Sequence, residues 1–287
     1  MTTLITGATG FLARHLASHL AERVGHDSIV LVSRSSTAGM VQCDFSSEAA
    51  VRTLIRDARP RTIYHLGASF TEDFDESFRA NVLAARNLLE SVANEHTSTR
   101  VVLMGSAAEY GIVGETDNPI SESHPLRPCS IYGWSKAAQT QLAMAYAQSR
   151  AVDVVVARLF NIVGEGAPER LFVGRVLSQI ELVKAGRARR VSVGALDGQR
   201  DYLDVKRACE LLELVAARGT SGEVYNVGSG KAVRIRELLG AMLNAKGMDW
   251  SVIDEQSYRK PGGLAEVTTI YADTRKLISL TAGDARA

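Results

Sequence analysis

The feature that most narrows the fold of this chain is the rhythm of its apolar residues. Runs of strand length alternate with stretches of helical period almost from the first residue. Thr3–Ile5 predicts a strand, and Phe11–Arg23, with apolar side chains at Phe11, Leu12, Leu16 and Leu20, predicts a helix. The alternation continues with strands at Ile29–Val32, Thr62–Leu66, Val101–Met104 and Val152–Leu159. Between them lie helices at Ser47–Arg59, Phe74–Glu95 and Ser130–Ser149. Strands separated by helices cannot pair through tight turns, so they lie parallel with helices on both faces. The expected class is α/β with a doubly wound parallel sheet. After Gly164 the rhythm loosens into a helix (Leu171–Lys184), a short strand (Arg190–Val193), a helix (Val205–Ala217), a strand (Val224–Val227) and a helix (Ile235–Leu243). The expected layout is a main domain over residues 1–160, with 190–217 returning to it. A smaller C-terminal lobe covers 161–189 and 218–275, and 276–287 form a C-terminal tail whose last residues, Thr281–Ala287, are small and polar and expected to fray.

Composition excludes several partners. A net charge of +1 on 287 residues offers no electrostatic footprint for nucleic acid or an anionic membrane. No run approaches the ~20 apolar residues of a spanning helix, and the N-terminus enters a strand directly, so the expected location is the cytoplasm. Cys43, Cys129 and Cys209 are odd in number and widely spaced, which argues against a disulfide framework or a metal knuckle; no metal is expected. Cys43 and Cys209 read as small buried hydrophobes and Cys129 as a lining residue.

Thr6-Gly7-Ala8-Thr9-Gly10-Phe11-Leu12-Ala13 joins the first strand to the first helix. Glycine in such a turn lets backbone N–H groups approach a pyrophosphate at the positive end of the helix. The reading is a dinucleotide cradle. The second strand ends in Val32-Ser33-Arg34-Ser35, without the carboxylate that would receive ribose hydroxyls. An arginine between serines suits a 2′-phosphate, so NADPH is the preferred cofactor and NAD the alternative. Asp44 with Phe45, and Leu66-Gly67-Ala68, are placed to touch the adenine and ribose.

Tyr132 and Lys136 stand four apart on one helix, so both side chains share a face. A free phenol has a pKa near ~10 and is a poor proton carrier at neutral pH. A neighbouring ammonium, with an oxidised nicotinamide, is expected to lower it. Ser106, just past the strand at Val101–Met104, is placed to hydrogen-bond the same substrate oxygen.

Taken in order, these segments resemble the nucleotide-sugar epimerase/dehydratase group of extended short-chain dehydrogenases/reductases over nearly the whole chain. The resemblance also rests on His65-Leu66-Gly67-Ala68, Asn81 with Asn87-Leu88-Leu89, Gly105-Ser106-Ala107-Ala108-Glu109-Tyr110-Gly111 and Tyr132-Gly133-Trp134-Ser135-Lys136. Arg158-Leu159-Phe160-Asn161, Arg200-Asp201-Tyr202-Leu203-Asp204-Val205 and Tyr225-Asn226-Val227-Gly228-Ser229-Gly230 complete it. It implies Tyr132 as acid–base residue, Lys136 on the nicotinamide ribose and Ser106 on the substrate oxygen. Asn81 and Phe160 join the cofactor site, and Ala107, Ala108, Asn161, Arg200 and Lys260 face the nucleotide sugar, Arg200 towards its diphosphate. Lys260-Pro261-Gly262-Gly263 departs from the family's Arg-Pro-x-Asp loop at both charged positions. The resemblance also implies a homodimer through the helices Phe74–Glu95 and Ser130–Ser149.

The group's 4,6-dehydratases carry an acid and a base carboxylate in the two positions after the catalytic Ser or Thr. Here those positions are Ala107 and Ala108, which can neither take nor give a proton, and no thiol stands there as 3,5-epimerase/reductases would need. Glu109, one place further on, reads as a structural carboxylate of the kind found in the group's 4-ketohexose reductases. The stretches Val191–Val205 and Glu223–Gly230 look most like GDP-4-keto-6-deoxymannose reductases. The expected reaction is NADPH-dependent reduction of a nucleotide-linked 4-keto-6-deoxyhexose. The alternatives are a 4-epimerase or altered dehydratase with tightly held NAD, and a non-catalytic dinucleotide sensor.

Overall fold

β1 (Thr3–Thr6) stops at Gly7, whose φ of 64° turns the chain out of the strand and into α1 (Phe11–Val24). The computed structural model, which describes residues 2–95, 98–256 and 268–281, continues with the anticipated alternation. β2 (Ile29–Ser33), β3 (Val41–Gln42), α2 (Glu48–Ala58) and β4 (Thr62–His65) are followed by a three-part helix. It runs as α3 (Phe74–Ser77), a π turn (Phe78–Leu83) and α4 (Ala84–Asn94) without a break. Then come β5 (Arg100–Ser106), a 3₁₀ turn (Ala107–Glu109), α5 (Ile131–Arg150) and β6 (Val154–Leu159). The later elements are β7 (Asn161–Val163), α6 (Phe172–Lys184), β8 (Val191–Val193), β9 (Gln199–Arg200), β10 (Tyr202–Asp204), α7 (Val205–Arg218) and β11 (Val224–Val227). β12 (Val233–Arg234), α8 (Ile235–Ala245), β13 (Ile253–Glu255), β14 (Thr269–Ile270) and α9 (Arg275–Ser279) complete the described chain.

Among the described residues, seven parallel strands form a doubly wound sheet in the order β3-β2-β1-β4-β5-β6-β11. The period-2 alternation of each strand feeds two cores. Leu4, Ile63, Val101 and Leu103 face α2, α4 and α5, while Ile5, Tyr64, Val102 and Met104 face α1 and α7. Each such aliphatic side chain contributes about 1.5–3 kcal/mol relative to exposure. The lobe has its own core of Val176, Ile180, Val191, Val193, Leu196, Leu239 and Leu243, with short sheets pairing β13 to β8 and placing β9 between β12 and β14.

The boundaries differ from the sequence reading in three places. β8 lies in the lobe, because it pairs with β13 rather than with the main sheet. β11, expected in the lobe, is the outer strand of the main sheet, paired to β6. α9 is not tail: Leu277 is buried in the core under α7, and residues 282–287 lie outside the described ones. Among the described residues, no helix is long and apolar enough to cross a membrane.

Candidate active site

The strand order reverses between β1 and β4, and a cleft of about 910 Å³ opens there, above the C-terminal ends of the central strands. Gly7, Thr9, Gly10, Phe11 and Leu12 line its floor. A Cβ on Gly7 would stand 2.8 Å from the Gly67 backbone, so only glycine fits this crossing. α1 opens without a side-chain cap or an acidic residue in its first turn. Its N–H groups are thus left to an anion, and this cradle fits a dinucleotide pyrophosphate.

The Thr6 hydroxyl accepts the N–H groups of Leu66 and Gly67, both at 3.1 Å, and sits 3.0 Å from His65 Nδ1. With both lone pairs occupied, its own hydrogen goes to Nδ1, which assigns the His65 proton to Nε2. Burial pushes the His65 imidazole down to about 3, and the nearby Lys136 charge adds to this. This anchored loop sets Leu66, Gly67 and Ala68 along the cleft wall.

At the other end Ser33, Arg34, Asp44 and Phe45 line the cleft. Bonds from the Ser46 N–H at 2.9 Å and hydroxyl at 2.8 Å hold the Asp44 carboxyl below its ordinary value, with Arg34 and Arg79 adding to the effect. Arg79, from the π turn, was not foreseen. Asn81 must be corrected. It does not line the cleft: its side chain is fully buried, accepts the Ser69 N–H at 2.9 Å, and donates to the Ser69 carbonyl and Ser135 hydroxyl at 3.0 and 2.8 Å. With its polar atoms spent, Asn81 braces α5 against the loop after β4.

The reacting end is built by two caps. Ser106 ends β5 and caps the 3₁₀ turn: its hydroxyl accepts the Ala108 N–H at 3.2 Å, and its N–H donates to Glu109 at 2.7 Å. The serine proton is left to donate into the cleft. Ser130 caps α5 through the Gly133 N–H at 3.0 Å. A Cβ on Gly133 would stand 2.6 Å from the Ala108 carbonyl oxygen, so α5 rests directly on the 3₁₀ turn and brings Tyr132 beside Ser106. Lys136, on the same face, donates to Gln139 Oε1 at 2.8 Å, and Gln139 is anchored to the Met104 carbonyl at 3.0 Å.

Burial lowers the Lys136 ammonium to about 8 and raises the Tyr132 phenol to about 12, against the opposing influence of the Ser106 hydroxyl. The expected lowering of the phenol by its lysine is therefore not a property of the chain alone, because desolvation dominates. The phenol is protonated at neutral pH, the state that can give a proton.

Glu109 is fully buried and bridged to Arg158 at 2.9 Å. Arg158 donates to the Tyr110 hydroxyl at 2.8 Å, which donates in turn to Asn226 at 2.7 Å. The carboxylate is structural. Ala107, Ala108, Phe160, Asn161, Arg200 and the exposed Cys129 line the cleft. Asn161 donates to the Asp201 carbonyl at 3.0 Å, and the Arg200 guanidinium donates to the Gln199 and Thr268 carbonyls at 2.8 and 3.3 Å. The buried Asp201 carboxylate accepts from the Ser229 N–H and hydroxyl, both at 2.7 Å, from the Gly230 N–H at 2.9 Å and from the Ala272 N–H at 3.1 Å. Lys260 lies outside the described residues. Two lining residues were missed: Phe70 stacks on Tyr132 with centroids 5.0 Å apart, and the Arg170 guanidinium lies 4.7 Å from the Phe70 centroid. Both stand in loops without periodicity, where the sequence carries no signal of their meeting.

A model of the NAD dependent epimerase/dehydratase family matches residues 3–228. The chain is 27% identical to GDP-6-deoxy-D-mannose reductase of Pseudomonas aeruginosa, over 88% of this chain and 82% of that one. It is 30% identical to dTDP-glucose 4,6-dehydratase of Streptomyces antibioticus, over 91% and 82% respectively. The solved structure of RMD from Pseudomonas aeruginosa complexed with NADPH superposes with a TM-score of 0.84 at 26% identity, covering 98% of this chain and 93% of that one.

Proposed function

The chain belongs to the NAD dependent epimerase/dehydratase family, and on that premise we propose that it is an NADPH-dependent reductase of the 4-keto group of a nucleotide-linked 4-keto-6-deoxyhexose. One observation carries the reading. The two residues after Ser106 that line the cleft are alanines, and the nearest carboxylate, Glu109, is locked under Arg158. Eliminating water from a sugar needs a second acid–base pair; among the described residues, the two positions after Ser106 supply none, which leaves the chemistry there to Ser106, Tyr132 and Lys136.

The α1 N-terminus would hold the pyrophosphate, Arg34 with Ser33 the 2′-phosphate, and Lys136 the nicotinamide ribose. When bound, a reduced nicotinamide supplies a hydride to the carbonyl carbon. The Ser106 hydroxyl donates to the carbonyl oxygen and fixes it beside the phenol. Tyr132 gives its proton to that oxygen, and the Lys136 ammonium favours the phenolate that remains. Asn161 and Arg200 bind the nucleotide-sugar substrate, Arg200 at the diphosphate.

The test mixes purified protein, NADPH and freshly made 4-keto-6-deoxy sugar nucleotides with several bases. Loss of absorbance at the reduced-nicotinamide band is expected with at least one; a flat trace with all of them overturns the reading. NAD retained tightly by the purified protein would favour a 4-epimerase or altered dehydratase instead. Full biological activity of a Tyr132→Phe variant would favour a non-catalytic sensor. The packed rings of Phe74, Phe78 and Trp134, exposed on the α3–α5 face, support a homodimer, which a monomer mass by light scattering would exclude.

A further inference from the structure

Arg170 and Phe70 meet over the catalytic phenol from opposite parts of the chain. Phe70 follows β4 in the main domain, and Arg170 precedes α6 in the lobe. The Phe70 ring is half exposed, yet it lies against the Tyr132 ring at 5.0 Å and the Arg170 guanidinium at 4.7 Å. Among the described residues the Arg170 side chain has no ion pair; its contact is the face of this ring. An aromatic face attracts a cation and holds it without neutralising it.

We propose that Arg170 is a positioning residue for the proton transfer: its guanidinium, held on Phe70, stabilises the phenolate that Tyr132 leaves when it protonates the substrate.

The surroundings of Tyr132 single out this cation. From β5 and the 3₁₀ turn come the Ser106 hydroxyl and the Glu109 carboxylate, the latter opposing ionisation and bound to Arg158. From the loop after β4 comes Glu72, whose carboxylate accepts the Ile131 N–H at 2.8 Å. Cys129 precedes α5, and Lys136 lies one turn along the helix from Tyr132. The buried Lys136 amine discharges near 8, well before the phenol ionises in the chain alone. A guanidinium stays charged throughout that range, and Arg170 acts on Tyr132 in the direction of ionisation. The acidity of the phenol thus answers to a charge from the lobe.

The inference rests on Tyr132 as proton donor, but its test needs no substrate. 3,5-Difluorotyrosine at position 132 has a more acidic phenol, which brings its titration into a range the fold tolerates; ¹⁹F NMR then reads the midpoint. Arg170→Gln should raise that midpoint by about one pH unit, Arg170→Met should do the same, and Arg170→Lys should retain the parent value. In turnover, Arg170→Gln should lower kcat more than it raises KM and move the pH profile by the same amount. Identical midpoints in parent, Gln and Met proteins overturn the proposal and leave Arg170 as packing on Phe70. If the ketoreductase reading alone is wrong, the ¹⁹F shift persists while the reductase assay stays flat.

Discussion

Two arginines around the cleft lie over aromatic rings, Arg158 at 4.6 Å from the Tyr110 centroid and Arg170 at 4.7 Å from that of Phe70. The geometry is nearly the same and the setting opposite. Arg158 is buried on β6 beside β5, ion-paired to Glu109 and hydrogen-bonded to Tyr110. Arg170 is exposed at the mouth, with its charge uncommitted among the described residues. A buried cation paired in a dry site fixes structure, because each of its guanidinium nitrogens already has a partner. An unsaturated one at a wet edge remains able to answer a charge that appears during reaction. The floor should therefore govern stability and the mouth should govern rate.

The largest effect expected is at the mouth. Tyr132→Phe should lower kcat by about 10²–10⁴-fold, the usual range for a lost general acid, while the urea midpoint stays put. A comparable fall in stability would erase the division. Next, at the floor, Glu109→Gln strands the Arg158 charge and should cost about 3–5 kcal/mol in urea unfolding. Arg170→Gln, its counterpart, should stay within about 0.5 kcal/mol. Equal losses would show that the two arginines do the same work.

A smaller effect concerns pH. The unfolded chain takes up a proton on His65 near ~6.5, whereas the folded chain refuses it until about 3, so acidification favours unfolding across that window. Stability should fall by about 2 kcal/mol between pH 7 and pH 5. His65→Asn should flatten that part of the urea-midpoint profile, and an unchanged slope would remove His65 from the floor. The smallest effect is at the far end of the cleft, where Arg34→Ser should raise the KM for NADPH about tenfold and leave that for NADH nearly unchanged. Equal changes for both would indicate that Arg34 is only a surface residue.

The floor was easier to foresee than the mouth, for a physical reason. Sheet strands and their helices announce themselves through periods of 2 and 3.6 residues, and Gly7 and Gly133 stand where a Cβ would collide with backbone. Tyr132 and Lys136 show their shared face through spacing alone. Glu109 read as structural from its offset after Ser106, and its ion pair with Arg158 supplies the reason. Arg170 lies in Gly-Ala-Pro-Glu-Arg, a run with no period, and its neighbour Phe70 is fixed only when the lobe meets the main domain. Asn81 falls in a π turn, where the wider winding departs from the 3.6-residue stripe, and its amide serves Ser69 and Ser135. The placement of β11 at the sheet edge was equally hidden, because a four-residue apolar strand reads the same in either sheet.

Asp201 has a consequence for how the protein comes to be made. Its carboxylate ties Ser229, 28 positions on, and Ala272, 71 positions on, into one knot beside the cleft. On a ribosome the acceptor emerges long before its last donor, so the cleft wall stays unlatched until the stretch that carries Ala272 has been synthesised. The closing stretch acts as a keystone, set last and holding what came before; a nascent chain released short of Ala272 would carry an intact sheet and an unfinished wall.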